Sequence, residues 1–552
     1  MKINRDGIGI LLVASLLVAP YALIGYGGHD FQQHAPSWME LRDLWQAGQF
    51  RAGWAPRANF NLGDPRFCFY PPVSFAIGAG LSLFLPFRLV PTAFVWLAFV
   101  VSGLSMYWAS KDFLAPEDRI KASWLYMVSP YLTTTAIVRF AAAELWTLTW
   151  LPLVFLYFYR SIWLKESRST ILLACTLGLT WITNVPAAIV LLYVLLVVAA
   201  IIAVRQRSIR PVISSLLAEL LAGALAAFYL APTWLEQAWI HKDAVLRDSY
   251  THYFISLSFS HLPMRGFFLT LWLFACVAVG LMTLYAWTGR SNLREDTASQ
   301  TWLTFTFVAF IFQLPVAVLL WKYLPQLRFV DFPYRFSAPV GAMLPLMLLS
   351  RATPKTLRLP SYILLALIAL LPFREYRLNK AVLVNLSDLV RQWQQHGYRA
   401  WPEFVPAGAT RPTRPVDFAP ASVMETGSGS NCDVALESPK TGERILRTRS
   451  TAPCQVRLAM YFYPYWKATD DSGNVLTMAK DSYGLLLINV PAGQHTVRLR
   501  FNAKSVARTS SLVVSFVSLL IVGTVLILGR NHSSFRLVGQ VNRSVDQVSV
   551  VK

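Results

Sequence analysis

The residues of this 552-residue chain that could do chemistry lie where long apolar segments end. Asp30 directly follows the apolar run and glycine pair that end the first segment, with His29 before it and His34 four residues after it. A carboxylate at the mouth of a membrane-length apolar segment is costly unless water, a partner or a reaction uses it. We therefore predict that Asp30 is a general base that takes a proton from a hydroxyl group.

A second polar set lies in two further loops between apolar segments. Arg139 and Glu144 share one short loop, and Arg335 ends the motif 332–335. A guanidinium is a fixed fork of donors that matches phosphate oxygens, and a carboxylate can orient or deprotonate a hydroxyl. Together they suit transfer of a group from a lipid phosphate, with Glu144 as a second acid and both arginines as phosphate ligands.

Each of these residues also has an ordinary structural interpretation, which the sequence leaves open. Asp30 and Glu144 could be wetted carboxylates at helix ends, and the arginines could extend to lipid headgroups. His29 and His34 could be hydrogen-bonding groups at the membrane interface.

The composition predicts a polytopic membrane protein, because 55% of the residues are hydrophobic and only 14% are charged. The net charge of +21 fits basic cytoplasmic loops better than nucleic-acid binding, so no nucleic acid is predicted as a partner. The chain lacks glycine-rich phosphate loops and the CxxC and HExxH patterns of zinc sites. No metal site and no cofactor are therefore predicted from motifs.

Charge asymmetry predicts the topology. Lys2 and Arg5 place the N-terminus in the cytoplasm, so residues 27–87 form a first outer loop. The short apolar piece 73–87 is predicted to be interfacial or re-entrant, because a crossing there would turn the later basic loops outward. An interfacial helix is predicted at 38–45, and the loop 232–264, including Glu236, is predicted to be ordinary surface. About twelve spans result, at 8–26, 88–110, 120–137, 145–161, 170–184, 186–203, 211–231, 265–288, 300–320, 336–350, 359–373 and 509–528.

The predicted fold is thus a polytopic α-helical membrane domain, 1–373, followed by an extracytoplasmic region, 374–508. In that region 385–396 reads as a helix and 402–430 as a linker, while alternating residues predict a small β-sandwich mainly over 430–505. A final transmembrane helix, 509–528, precedes a cytoplasmic tail, 529–552. An oxidising compartment would allow a disulfide between Cys432 and Cys454, with two free thiols as the alternative.

Several motifs resemble those of membrane glycosyltransferases of the GT-C superfold. These are Gly28-His29-Asp30, Phe69-Tyr70-Pro71-Pro72 and the loop 139–144. The resemblance is closest to the YfhO-like group, which overlaps the membrane family labelled 6-pyruvoyl-tetrahydropterin synthase-related. Further matching pieces are Ala143-Glu144-Leu145-Trp146, Phe332-Pro333-Tyr334-Arg335, Tyr463-Pro464-Tyr465-Trp466-Lys467-Ala468 and the stretch 490–497.

The resemblance implies a catalytic acid at Asp30, a second acidic position at Glu144 and a polyprenyl-phosphate-linked sugar as donor. Tyr70, within its motif, is assigned to substrate binding with His29 and His34. Some members of the superfold bind a divalent metal through an Asp-x-Asp motif. The loop 139–144 lacks that motif, so a divalent metal stays an open alternative.

The resulting hypothesis is a glycosyltransferase of the bacterial inner (cytoplasmic) membrane with both termini cytoplasmic and 374–508 periplasmic. It would transfer a sugar from a polyprenyl-phosphate donor to a glycan or lipid acceptor on the outer face. One alternative is a transporter or flippase for lipid-linked glycans, which would need acids inside spans, where Glu219 is the clearest example. Another is a non-catalytic assembly factor for envelope polysaccharide.

Overall fold

The structure is a computed structural model that describes residues 5–244, 250–251, 253–254, 265–288, 296–350, 353, 355–378, 383–426, 431–440 and 442–548. Lys2, on which the predicted orientation partly rests, and residues 549–552 of the predicted tail lie outside the described residues. The described chain is mostly helical with a β-rich region toward its C-terminus, as predicted.

The helices are α1 (Arg5–Leu23), α2 (Phe31–Gln46), α3 (Ala58–Asn61), α4 (Arg66–Phe69), α5 (Pro72–Phe84), α6 (Val90–Ala109), α7 (Pro116–Met127), α8 (Pro130–Thr133), α9 (Ala142–Ile162), α10 (Ser167–Trp181), α11 (Val185–Gln206), α12 (Arg210–Leu225), α13 (Ala227–Glu236), α14 (Arg265–Thr288), α15 (Thr297–Ile311), α16 (Val318–Tyr323), α17 (Ser337–Leu349), α18 (Lys355–Leu378), α19 (Leu386–His396) and α20 (Val506–Val548). A π-helical segment, Thr134–Arg139, connects α8 to the loop before α9.

Five helical segments of the described chain are long and apolar enough to cross a membrane, which confirms the prediction of a membrane protein. The number rises to seven if two bent helix pairs each count as one span. The segments are Arg5–Leu23, Phe87–Asp112, Val185–Gln206, Arg358–Leu378 and Val506–Leu528. The count of about twelve spans therefore stays a prediction.

Three of the predicted spans are not single straight helices. The predicted span 120–137 is interrupted where α7 ends and Pro130 begins α8. The predicted spans 211–231 and 300–320 correspond to pairs bent by 77° and 76°. Hydropathy records the apolar character of side chains, so it is insensitive to a break in the backbone.

Helix α2, whose residues 38–45 were predicted to lie in the membrane interface, packs its apolar face against other helices, and its depth relative to the membrane stays a prediction. Trp38 is fully buried, and its ring centroid lies 4.4 Å from that of Phe94 in α6. A Cβ at Gly78 of α5 would be 2.4 Å from the Trp38 ring, so only glycine permits this packing. The amphipathic pattern was correct, but α5 and α6 cover the apolar face. With 13 residues, α5 spans roughly 20 Å, which is short for a crossing.

Two four-stranded antiparallel sheets form a sandwich between α19 and α20. The strands are β3 (Ala421–Thr426), β4 (Cys432–Lys440), β5 (Glu443–Ser450), β6 (Cys454–Tyr461), β7 (Trp466–Thr469), β8 (Met478–Lys480), β9 (Leu485–Val490) and β10 (Gly493–Phe501). One sheet has the order β4-β5-β10-β7 and the other has the order β3-β6-β9-β8. Fully buried residues of both sheets, such as Leu446 and Ile488, share one core. Strand β3 begins within the stretch predicted to be a linker.

The two predicted cysteines lie on strands of different sheets. Cys432 begins β4 and Cys454 begins β6, and the structure joins them by a disulfide with a Cα–Cα distance of 6.5 Å. The bond therefore links the two layers of the sandwich.

A short pairing brings the loop after α1 to the extramembrane region, the part of the chain between α18 and α20 that contains the two sheets. Strand β1 (Tyr26–Gly27), directly after α1, pairs antiparallel with β2 (Leu383–Val384), which follows α18. Trp393 of α19 then packs against Met39 of α2 in a small buried cluster. Both regions therefore meet at one end of the helices, where the polar motifs lie.

Candidate active site

The loop after α1 is held against the loop before α9 by a close backbone contact. Gly28 has φ +120°, and a Cβ there would lie 2.5 Å from the Cβ of Phe140. Because glycine allows both the conformation and the approach, the Asp30 amide can donate to the Arg139 carbonyl at 2.9 Å. Two motifs that are far apart in sequence are thereby placed side by side.

His29 and Asp30 form a hydrogen-bonded pair. The imidazole Nδ1 lies 2.7 Å from Asp30 Oδ1, and the side chains are 69% and 23% exposed, respectively. Burial opposes ionisation of Asp30, but the hydrogen bond from His29 and the charges of His29 and Arg139 outweigh it and lower the carboxyl pKa. The same hydrogen bond and the carboxylate charge raise the pKa of His29, against burial and Arg139.

Glu144 is the shared partner of the two arginines. Its Oε2 accepts from Arg139 Nη1 at 2.8 Å and from Arg335 Nε at 3.3 Å, and its Oε1 accepts from the Tyr131 hydroxyl. The side chain is almost fully buried. Two guanidinium groups thus share one carboxylate, which leaves one positive charge in excess.

Aromatic rings fix the two guanidinium groups. Arg139 Cζ lies 5.4 Å from the centroid of the Tyr334 ring, and Arg335 Cζ lies 5.1 Å from that of Phe332. Arg335 also donates to the Val330 carbonyl. The resulting array of donors is preorganised and costs little entropy when an anion binds.

A cavity of about 760 Å³ lies beside this array. Its polar end is lined by His29, Asp30, Tyr70, Arg139 and Arg335. A wall from α10, α11 and α13 is mainly apolar and includes Trp181, Ile189, Leu192, Leu230 and Trp234. The cavity is therefore amphipathic, with an apolar wall formed by helices and a cationic end, named for the two guanidinium groups that lie there beside the Asp30 carboxylate.

Two of the predicted site residues do not line this cavity. Glu144 lies behind the arginines, and both of its carboxylate oxygens accept hydrogen bonds, so its contacts are with Arg139, Arg335 and Tyr131. Its role as a second catalytic acid stays a prediction. His34 is buried, with its ring 5.1 Å from Trp401 and 5.8 Å from Tyr70. Burial lowers the pKa of His34 to about 4 despite the charge of Asp30, so its imidazole is neutral at physiological pH.

A turn from the extramembrane region supplies cavity residues that the sequence analysis missed. Trp401, Glu403 and Phe404 line the cavity around the turn Pro402–Phe404. The Trp401 ring stacks on Tyr70, with centroids 5.3 Å apart and planes 5° apart. Burial raises the pKa of the Glu403 carboxyl to about 7, although Arg66 and Arg411 oppose the rise. The sequence signal that could have indicated these residues is a carboxylate, Glu403, between two aromatic residues at the start of the stretch predicted to be a linker.

Glu236, predicted to be ordinary loop surface, is buried at the end of α13. Its carboxylate accepts from Arg508 of α20 at 2.6 and 3.1 Å and from the Tyr465 hydroxyl. Arg508 Nε also lies 3.1 Å from that hydroxyl oxygen. This bidentate pair fixes the cavity wall formed by α13 to the last helix and to the sandwich.

The cavity carboxylates do not form a cluster of three metal-ligating groups in the described part of the chain. The one such cluster found there is Asp470, Asp471 and His495 on the sandwich, and none of these lines the cavity. The charged groups that line the cavity are the His29–Asp30 pair, two further carboxyl groups, two guanidinium groups and one ammonium group, from Asp331, Glu403, Arg139, Arg335 and Lys242.

Helices, cavity and sandwich together define a membrane protein with a β-rich extramembrane region and one amphipathic cavity where the two meet. No family model matches the chain, and no curated protein matches it. Among solved structures, arabinofuranosyltransferase AftD from Mycobacteria, determined by cryo-electron microscopy, is similar over 68% of this chain with 15% identity and a TM-score of 0.41. The match covers 27% of the AftD chain, and a likeness of this size supports no conclusion about function.

Proposed function

We propose that this protein is a GT-C-like glycosyltransferase. It transfers a sugar from a polyprenyl-phosphate donor to a hydroxyl of a glycan or lipid acceptor at the outer face of a bacterial inner membrane. The observation that carries the proposal is the amphipathic cavity, whose cationic end carries the His29–Asp30 pair.

The cationic end suits a phosphate leaving group. Arg139 and Arg335 both line the cavity, and the carboxylates of Glu144 and Asp30 balance their charges, so the phosphate is held by fixed N–H donors and not by a net positive charge. When the bond between the sugar and the phosphate breaks, negative charge grows on the phosphate. Donors held in place before the reaction stabilise that charge without reorganisation.

The apolar wall suits an isoprenoid chain. It is built from α10, α11 and α13, and Trp234 on that wall is 71% exposed at the outer surface of the helices. An isoprenoid chain lies in the bilayer hydrocarbon before it binds, so an apolar wall accepts it without exposing it to water. A lipid-linked donor can therefore place its chain on this wall and its phosphate at the arginines.

The remaining wall faces the acceptor in this proposal. Trp401 and Glu403 belong to the extramembrane region, so this side of the cavity is the one a water-borne or headgroup acceptor reaches first. An aromatic face packs against a sugar ring, and a carboxyl group at its edge hydrogen-bonds to hydroxyl groups.

The test uses membranes of a strain that lacks the protein, since these supply both donor and acceptor. Purified protein in lipid nanodiscs is added, and mass spectrometry follows the gain of one sugar residue on the acceptor. We expect Arg335→Gln and Arg139→Gln to lower the rate by about 100-fold or more. Arg447→Gln, which changes an exposed ion pair on the sandwich, is the matched control and should leave the rate unchanged.

Two results would contradict the proposal. One is a full rate of sugar transfer in both cavity arginine variants. The other is movement of the lipid-linked sugar across proteoliposomes that contain no acceptor, combined with no transfer in nanodiscs. That second result would identify a flippase. The half-buried Glu219, whose Oε2 accepts from Nε1 of cavity-lining Trp181 at 3.3 Å, would be its first candidate residue.

A further inference from the structure

We propose that Nε2 of His29 removes the proton from the acceptor hydroxyl and that Asp30 is a positioning residue that holds the imidazole. This inference rests on the glycosyl transfer proposed above. It reverses the roles that the sequence suggested, in which Asp30 is the base and His29 binds the substrate.

The geometry assigns the proton within the pair. Asp30 Oδ1 lies 2.7 Å from Nδ1 of His29. An ionised carboxylate can only accept a hydrogen bond, so Nδ1 must carry the hydrogen. The lone pair of the neutral imidazole is then on Nε2, the atom on the other side of the ring.

The side chains of His29 and Asp30 differ in how much of their surface is exposed. Both line the cavity, but the imidazole is 69% exposed and the carboxylate only 23%. The member that a substrate reaches more readily is therefore the imidazole. The carboxylate, one of whose oxygens is already bonded, lies further inside at the start of α2.

The backbone fixes the pair beside the phosphate-binding end. The His29 amide donates to the Val138 carbonyl at 3.3 Å, and the Asp30 amide donates to the Arg139 carbonyl at 2.9 Å. The proton acceptor and Arg139 are thus held by neighbouring peptide groups. Deprotonation of the acceptor and departure of the phosphate can occur within one bound complex.

Basicity agrees with this geometry. A general base works best when its pKa is near the working pH. The pKa of Asp30 is lowered below 3.8, which makes it a weak base, whereas the pKa of His29 is raised above 6.5 by its bond to Asp30. The other charged groups that line the cavity are Lys242, Asp331, Arg335 and Glu403, besides Arg139.

The step balances without a further reactant. The acceptor oxygen forms a bond to the anomeric carbon of the donor sugar, and its proton passes to His29 Nε2. The bond between that carbon and the phosphate oxygen breaks, and its electron pair leaves with the phosphate. The imidazolium, stabilised by Asp30, then releases the proton to water.

The experiment is a rate–pH profile in the nanodisc assay, from about pH 4 to about pH 9. We expect the wild-type rate to fall about tenfold per pH unit below a midpoint above 6.5, because the imidazole becomes protonated there. This fall in rate on the acidic side of the profile is the acid limb. Glu403→Gln should keep the limb, which distinguishes the imidazole from Glu403, the other cavity-lining group whose pKa lies near neutrality. Asp30→Asn should lower the rate and move the limb to lower pH, since the imidazole loses the partner that raises its pKa.

His29→Gln should lower the rate by about 100-fold or more and remove the limb. His29→Gly should regain part of its rate when free imidazole is added, which a purely structural residue would not do. A melting temperature equal to that of the wild type will show that the exposed side chain is not needed for folding. If His29→Gln keeps its rate within a few-fold of the wild type and the wild-type rate does not fall between about pH 9 and about pH 4, Asp30 is the base and the inference is wrong. If the wild-type protein transfers no sugar at any pH, the proposed function itself fails.

Discussion

One buried carboxylate determines how the two cavity arginines are presented. Glu144 accepts from both guanidinium groups and from Tyr131, and it has no place in the cavity lining. A buried ion pair gains little net stability, but removal of one partner leaves the other charge uncompensated. At the scale of single residues, the acid behind the site is therefore as important as the groups that line it.

We expect Glu144→Gln to lower the free energy of unfolding by roughly 3–5 kcal/mol, because two buried guanidinium groups lose their carboxylate. Thermal melting in detergent measures the effect. Glu437→Gln, which breaks the exposed pair with Arg447, is the control and should melt like the wild type. Equal melting of both variants would show that Glu144 does not hold the arginines.

Glu403 gives a pH-dependent prediction. Its pKa rises from 4.5 to about 7 on burial, so between these values the folded protein holds a proton that the unfolded chain has lost. Stability therefore falls as pH rises through this window, by at most about 3 kcal/mol and less because the side chain is only partly buried. Glu403→Gln removes this pH-dependent loss of stability, because glutamine does not titrate. We expect the variant to melt above the wild type at pH 8 and no higher than it at pH 5, and the opposite order would contradict the assignment.

At the scale of elements, the cavity depends on contacts that tie its walls together. Helix α13 forms one wall and is fixed to α20 by the pair of Glu236 and Arg508. The chain after α13 is also bound to the extramembrane turn, because the His241 amide donates to the Val405 carbonyl at 3.1 Å. The α13 wall and the turn that carries Trp401 and Glu403 are therefore one connected unit.

Arg508→Gln should loosen this unit. We expect a lower melting temperature and a higher KM for the lipid-linked donor, because the α13 wall is no longer fixed, with a smaller change in kcat. Arg500→Gln, at an exposed pair with Glu443 on the sandwich, is the matched control. A changed kcat with an unchanged donor KM would show that Arg508 does not act through the wall.

At the scale of the whole molecule, the active site requires that the polar ends of the helices and the sandwich lie on one side of the membrane. The pairing of β1 with β2 and the contact of α2 with α19 join them directly. The disulfide between the two sheets is compatible with an oxidising outer compartment. The predicted sidedness is open to direct measurement.

We expect a cysteine placed at Ser472, an exposed turn position of the sandwich, to react with a membrane-impermeant maleimide on intact spheroplasts. A cysteine placed at Ser208, exposed between α11 and α12, should react only after the membrane is permeabilised. The wild-type protein measures the background from its free cysteines. The reverse labelling pattern would put the cavity on the cytoplasmic side and exclude an outer-face acceptor.

The amino-acid sequence by itself determined the features that local patterns record. Long apolar runs indicated a membrane protein, alternating residues indicated the strands, and the five-residue spacing of Arg139 and Glu144 kept those two in contact. Polar groups at the ends of apolar segments also pointed to Asp30, His29 and Arg335, all of which line the cavity.

Only the tertiary structure decided what each of these groups faces. Trp401 lies more than 300 residues after Tyr70, on which its ring stacks, and no local periodicity records that contact. Glu144 turned away from the cavity because two arginines, one of them 191 residues distant, compete for its oxygens. A segment's pattern of side chains sets its own conformation, whereas the partner that covers each side chain is chosen by the packing of the whole chain.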